Sequence, residues 1–454
     1  MLLTIFIGIL GLDIVVLVHE LGHLVIAKLM GITVETFSIG MGKKIFSIHY
    51  KGTEYCLSIF PLGGYCKMKG EKQFSAAVRD KAKTIVYEKG SIFSVSPLRR
   101  ILTYLAGPVF NFVFSILMLS IIWYIGFSTQ TYSNKIILLT DYPEIFSAAK
   151  HPADSAGLLT GDKIIKINNT VIKSYADIQE EIYKSANNNL NIIINRDSHE
   201  ISLLLTPILN PDTGAGQIGV APWIDAVIAN VKKGSSADIG GLKNNDIIIS
   251  ANSITVSNYL DIHKALKSKP EYLKLKVKSP NGIRMVSLVP NYSNDGSTDL
   301  GISFKTTTIE SDKINVLTAI NKGLTETINT LVMTGKSIYL LFNGVNLKKA
   351  VSGPIRISYY VGEVAANSFK DGFKTGFTTI FRFLSMISVA LGFANLLPIP
   401  ILDGGLILFT SIELIKGKSL SPGTFYRYQS IGFFIIIIIF FLTTYGDISY
   451  LFNK

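Results

Sequence analysis

The chain has 454 residues, 48% of them hydrophobic, and carries 44 Lys and Arg against 32 Asp and Glu, a net charge of +12. A mean hydropathy of +0.38 is too high for an ordinary soluble enzyme and points to a membrane protein with soluble parts. The basic residues are scattered through loops without a stripe of interleaved aromatics, which speaks against a nucleic-acid partner; the two cysteines, Cys56 and Cys66, form no CxxC pair and no bridge framework.

Four stretches are long and apolar enough to cross a hydrocarbon core of about 30 Å, which takes roughly 20 helical residues. The first, about Leu2 to Leu29, lacks a basic n-region and an A-x-A cleavage site, so it reads as a retained span and not a signal peptide. After it, Val34 to Ile39, Ile45 to Tyr50 and Glu54 to Phe60 alternate apolar and polar residues and end in Pro61 and Gly63-Gly64, the pattern of a hairpin or small sheet. The second span is Ile101 to Phe127, preceded by Arg99 and Arg100; the third is Phe377 to Leu397 and the fourth Ile431 to Tyr445. The loop from Met30 to Arg100 and the one carrying Lys416, Lys418 and Arg427 are rich in basic residues. The positive-inside rule therefore predicts both to be cytoplasmic, with both chain ends and Ser128 to Thr375 outside.

Within that outer stretch a pattern recurs. Ala153, Asp154, Gly157, Leu158, Asp162, Ile164 and Asn168 return in order as Ala237, Asp238, Gly241, Leu242, Asp246, Ile248 and Asn252, an offset of about 84 residues that suits two tandem small domains. Gly161 precedes the aspartate in the first copy and Asn245 in the second; these residue types best tolerate a left-handed turn, so one backbone shape is expected at both. The pattern A-G-L-x-x-G-D-x-I-x-x-I-N resembles bacterial PDZ domains, which implies small α+β folds with an edge groove for an extended peptide. From Lys313 to about Lys374, Ile320, Leu324, Ile328 and Leu331 have helical spacing and predict amphipathic helices on the outer membrane face.

The chemistry starts in the first span with His19-Glu20-Leu21-Gly22-His23, an HExxH sequence. Residues four apart share a helix face, so both imidazoles can reach one metal ion while Glu20 sits beside its water. Keeping a carboxylate and two imidazoles in an apolar span costs a few kcal/mol at least, and such residues are usually functional. A catalytic zinc needs three protein ligands and an open position. The remaining histidines, His49, His151, His199 and His263, fall in aqueous segments, so the third ligand is expected to be a carboxylate near another span. Asp403 is the candidate, in the segment Asn395-Leu-Leu-Pro398-Ile-Pro400-Ile-Leu-Asp403-Gly404-Gly405, whose prolines and glycines break helix directly after the third span.

Taken together, HExGH, Pro61-Leu-Gly-Gly-Tyr65, Gly107-Pro108 with Asn111, the two repeats, Ser352-Gly353-Pro354 and N-x-x-P-x-P-x-x-D-G-G resemble the site-2 protease family of intramembrane metalloproteases, nearly end to end, and most closely its bacterial, sigma-E regulating branch. The resemblance implies one Zn2+ held by His19, His23 and Asp403, Glu20 as general base, and Asn395 holding substrate backbone. It further implies a polytopic α-helical membrane protein of about four spans with a cytoplasmic membrane-associated β element, whose free edge, expected in Glu54 to Phe60 or its neighbour, pairs with unwound substrate. Two extracytoplasmic PDZ-like domains complete the fold class. The expected division is 1–127, 128–220, 221–307, 308–374 and 375–454. The implied partners are the lipid bilayer and single-span membrane proteins, an anti-sigma factor or remnant signal peptides, in the bacterial inner membrane. Asp13 and Arg356 depart from the family pattern. The rival readings are a catalytically silent PDZ scaffold and an ion transporter, the latter lacking the expected pseudo-symmetric spans.

Overall fold

The structure is a computed structural model that describes residues 2–146, 150–293, 298–341 and 352–452. It divides into two compact units, one made of Met1–Phe127 with Ser311–Lys454 and the other of Ser128–Glu310.

Among the described residues of the first unit, four helices are long and apolar enough to cross a membrane. The first span is Leu2–Leu29, the second Pro97–Ile125, the third Phe373–Asn395 and the fourth Pro422–Phe452. The fourth is longer than its apolar run, because a helix once nucleated propagates through Tyr426, Arg427 and Gln429 whatever their polarity. Small residues let these helices approach closely. A side chain at Gly22 of the first span would meet the Ala106 carbonyl oxygen at 2.5 Å and Phe110 at 2.9 Å in the second.

Among the described residues, further helices pack against these spans. Val316–Leu341 does not lie free on the surface as its amphipathic pattern predicts; it packs lengthwise on the second and third spans. Ala319, Gly323 and Thr327 form its small, buried face, the Ser115 and Thr327 hydroxyls bond at 3.1 Å, and Glu326 accepts from Trp123 Nε1 at 2.8 Å and from Arg382 Nε at 2.8 Å. Pro354–Ser368 packs on the first span so tightly that a Cβ on Gly8 or Gly362 would strike backbone of the facing helix. Its start is held by Asp447 of the fourth span, buried at 1% exposure, which accepts from the Gly353, Ile355 and Arg356 amides at 2.8, 3.1 and 3.0 Å. Arg356 itself lies over the Tyr450 ring, 4.6 Å from its centroid.

The loop after the first span is a sheet folded from Val34–Tyr50 and Thr53–Met68. Residues 44–50 run antiparallel to 53–58, and the start of the first strand is flanked on both sides, Ser38 facing Cys56 on one and Tyr65 on the other. Glu54 to Phe60 is therefore an inner strand, and of the two places expected for the free edge it is its neighbour that has one. The free edges are residues 44–50, exposed throughout, and Gly64 to Met68. Asp13 of the first span accepts from the Gly63 amide at 2.8 Å and pins the second edge to the helix. Cys56 and Cys66 are free thiols.

In the second unit the sequence repeat is a structural one. Each copy builds a four-stranded sheet in the same order, Thr170–Val171, Lys163–Ile167, Leu190–Arg196 and His199–Leu205 in one and Ile254–Thr255, Ile247–Ala251, Leu273–Ser279 and Gly282–Leu288 in the other. Gly161 (φ 102°) and Asn245 (φ 72°) both take the positive-φ turn expected of them. The aspartate that follows is buried and paired, Asp162 with Arg196 at 2.7 Å and Asp246 with Arg284 at 2.5 Å, which explains why the pattern keeps an acid there.

Candidate metal centre

His19 and His23 lie on one face of the first span and are 6% and 7% exposed; Asp403, 9% exposed, opens the helix Asp403–Lys416. The approach of these elements depends on the loop between Asn395 and Asp403. Ile401 takes φ 83°, which is strained for a β-branched residue, and a Cβ on Gly404 or Gly405 would strike the backbone oxygens of Leu396, Leu397 or Ile399. The chain therefore doubles back tightly enough to bring the carboxylate to the first span. At the first turn of its helix the carboxylate also meets the positive end of the macrodipole.

Three ligand-type atoms converge. Asp403 Oδ2 is 3.1 Å from His19 Nε2 and 3.4 Å from His23 Nε2, and the two Nε2 atoms are 3.3 Å apart. Among the described residues this is the one group of three or more ligand-type side chains that could hold an ion. The spacing fits zinc: tetrahedral ligands at bonds of about 2.0–2.1 Å are separated by about 3.3 Å. Asp403 Oδ2 is buried without a hydrogen bond among the described residues, the state of an atom whose partner is a cation.

The second span closes the site without contributing to the trio. The Thr103 carbonyl bonds His23 Nδ1 at 2.8 Å, and the Asn111 amide lies 3.2 Å from His19 Nδ1. Gly107 sits between them, where a Cβ would be 2.5 Å from His23 Nε2 and 2.7 Å from His19 Nε2, so only hydrogen leaves room beside the metal position. Pro108 cannot donate four residues back, which weakens the helix ladder in the turn that presents Thr103.

Glu20 is half-buried one position round from His19, and the Cys66 amide of the sheet edge bonds its carboxylate; a Cβ on Gly64 would be 3.7 Å from its Cγ. Cys66 is too enclosed to be a thiolate: burial pushes its thiol up to about 12, with the nearby Glu20 charge adding to the effect. Asn395 is not joined to the trio; its Nδ2 donates to the Leu391 carbonyl of its own helix at 3.1 Å. None of His49, His151, His199 and His263 belongs to the trio. The hydrogen-bonding roles of Thr103 and Asn111 could not be read from the sequence beyond the presence of the G-P-x-x-N segment, since a carbonyl leaves no sequence signal.

A zinc-type site at the junction of a membrane helix and a broken segment defines a class, the membrane-embedded metallopeptidases. The pattern of Peptidase family M50 matches residues 7–439, and the chain belongs to that family, the site-2 proteases. It is 34% identical over 453 residues, 100% of each chain, to a protein of Treponema pallidum named "Putative zinc metalloprotease". A protein of Borreliella burgdorferi with the same name is 31% identical, with 98% of each chain covered. The "Regulator of sigma E protease" of Haemophilus influenzae is 29% identical over 93% of this chain and 92% of its own. This chain is thus an integral membrane zinc metalloprotease.

Proposed function

We propose that the protein cleaves single-span membrane proteins within or next to the bilayer, with His19, His23 and Asp403 holding zinc, Glu20 as general base and Asn395 binding substrate backbone. The observation that carries this reading is the convergence of two Nε2 atoms and Asp403 Oδ2 at 3.1 to 3.4 Å inside a bundle of membrane-crossing helices. Bound there, zinc supplies Lewis acidity and a water acidified toward pKa about 7. Glu20 takes the proton of the attacking water and passes it to the leaving amine, so no covalent intermediate is needed. The burial of the trio keeps bulk water from competing.

A transmembrane substrate arrives with its carbonyls tied up in helical hydrogen bonds and must be unwound before attack. The edge Gly64 to Met68 is the strand that offers backbone groups to it, because it is the edge beside Glu20. Asn395 takes up its role once substrate competes for its amide, now spent on Leu391. In this reading the Met30 to Arg100 loop is cytoplasmic, and both chain ends and the repeat unit lie outside the inner membrane. The repeats are two PDZ-like domains, residues 128–220 and 221–307, that control access. The name of the Haemophilus relative supports an anti-sigma factor as substrate, with remnant signal peptides the second candidate.

The test is cleavage of a single-span substrate by the purified chain in liposomes. Glu20→Gln is expected to keep stoichiometric zinc and lose about 10²–10⁴-fold in rate. Full activity of that variant, or of Asp403→Ala, rejects the assignment.

A further inference from the structure

We infer that Asn111 is a positioning residue of the metal centre: its side-chain oxygen accepts the Nδ1 proton of His19 and so holds the Nε2 lone pair on the metal position. The inference rests on the ligand set proposed above and concerns a residue outside it.

Both histidines turn Nε2 toward Asp403, so each must carry its proton on Nδ1 to act as a neutral ligand. For His23 the acceptor is plain, the Thr103 carbonyl at 2.8 Å. For His19 the group in reach is Asn111, completely buried, with its amide nitrogen placed 3.2 Å from Nδ1 and its Oδ1 buried without a partner among the described residues. That placement sets one donor against another. The two ends of an amide are exchanged without any change in shape, and the exchange puts Oδ1 on the imidazole proton. The other end of the amide stays unpartnered as before, while the donor-to-donor contact is removed. Ser388 Oγ donates to the Asn111 main-chain carbonyl at 3.0 Å, so the backbone here is held independently of the side chain.

Thr103, Gly107 and Asn111 recur every four residues, one stripe of the second span. The stripe supplies an acceptor for each imidazole and, between them, the gap in which both rings fit. A span without a ligand thereby fixes the tautomer and the ring plane of two ligands on another.

Packing and acceptor roles predict opposite rankings of variants. If Asn111 only fills space, Asn111→Leu is tolerated and Asn111→Asp, a buried carboxylate, is the worst. If it accepts the His19 proton, Asn111→Asp keeps the acceptor and Asn111→Leu removes it. The experiment is zinc affinity of the full-length chain in detergent micelles, measured by competition with a chromogenic chelator. Asn111→Leu and Asn111→Ala are expected to bind zinc 10–100-fold more weakly, the usual loss for an outer partner of a ligating histidine, and Asn111→Asp to remain within about threefold of the parent. Should the leucine variant not fold, the alanine and aspartate variants give the same comparison. Parent-like affinity in the alanine or leucine variant, or equal loss in the aspartate variant, overturns the inference. A parent protein whose zinc binding ignores Asp403→Ala instead shows the ligand set to be wrong, and the inference falls with it.

Discussion

Arg100 Nη2 and Glu413 Oε2 are 2.6 Å apart, in an ion pair whose side chains are 8% and 5% exposed and whose residues are separated by 313 positions in sequence. It joins the start of the second span to the helix that Asp403 opens, and Glu413 Oε1 also accepts from the Leu420 amide at 2.9 Å. The pair thus ties the element beneath the two imidazoles to the element that brings the carboxylate.

Removing one member of this pair leaves the other charge buried and alone. Arg100→Met is expected to destabilise the protein by about 3–5 kcal/mol, whereas Arg100→Met with Glu413→Leu restores most of the loss, because a well-packed apolar pair replaces a buried ion pair at little cost. Thermal unfolding of the two single variants and the double variant in the same detergent checks this; additive losses contradict it.

Gly107→Ala adds a single methyl group 2.5 Å from His23 Nε2 and 2.7 Å from His19 Nε2. The backbone of the second span is held close to the first at the neighbouring position, where even a Cβ on Gly22 would come within 2.5 Å of the Ala106 carbonyl oxygen. The imidazoles must therefore turn, and a displacement of about 1 Å costs on the order of 10²-fold in rate. Turnover and bound zinc are expected to fall together, and an alanine variant with parental turnover would count against the crowding.

Zinc binds the folded site and not the separated ligands, so it stabilises the native state. At 100 times its dissociation constant the gain is about 2.7 kcal/mol. Chelation is expected to lower the melting temperature and abolish cleavage, with both restored by zinc. Asp403→Ala, which removes the oxygen shared by the two histidines, should melt at the same temperature with and without the metal.

Cys66 supplies a pH-dependent signature of the sheet edge. Its thiol is pushed up to about 12 from 9.0, so the folded state holds the proton more tightly than the unfolded chain. Stability from this group is complete below pH 9 and falls as pH rises from 9 toward 12. In a Cys56→Ala background, maleimide labelling of the folded protein is expected to stay slow at pH 8 and to rise about tenfold per pH unit above it, as the thiolate fraction does. Rapid labelling at pH 7 shows the edge open to water at that point.

Local periodicity and composition determined much of this molecule. The spacing of His19 and His23 puts them on one helix face in any context, four apolar runs are four helices, and the positive-φ residues at Gly161 and Asn245 follow from residue type alone. Pro398 and Pro400 end the third span as expected, whereas Gly404 and Gly405 do not break helix but lie in the first turn of the one that Asp403 opens, and the carboxylate does meet both histidines. What tertiary structure decided is which surfaces face each other. Alternation in Glu54 to Phe60 marks a strand and is silent on its neighbours, and pairing on both sides made it an inner strand, with residues 44–50 and Gly64 to Met68 as the edges. The amphipathic pattern of Val316–Leu341 is equally compatible with a membrane surface and with two helices, and Ala319, Gly323 and Thr327 settled it by close contact with the second span. Asp13, which breaks the apolar pattern of the first span, proved to bind the Gly63 amide. Partners such as Asn111 for His19 and Glu413 for Arg100 are 92 and 313 positions apart. Hydrogen bonds and ion pairs over such distances depend on how helices pack, a property of the assembled bundle that no window of sequence contains.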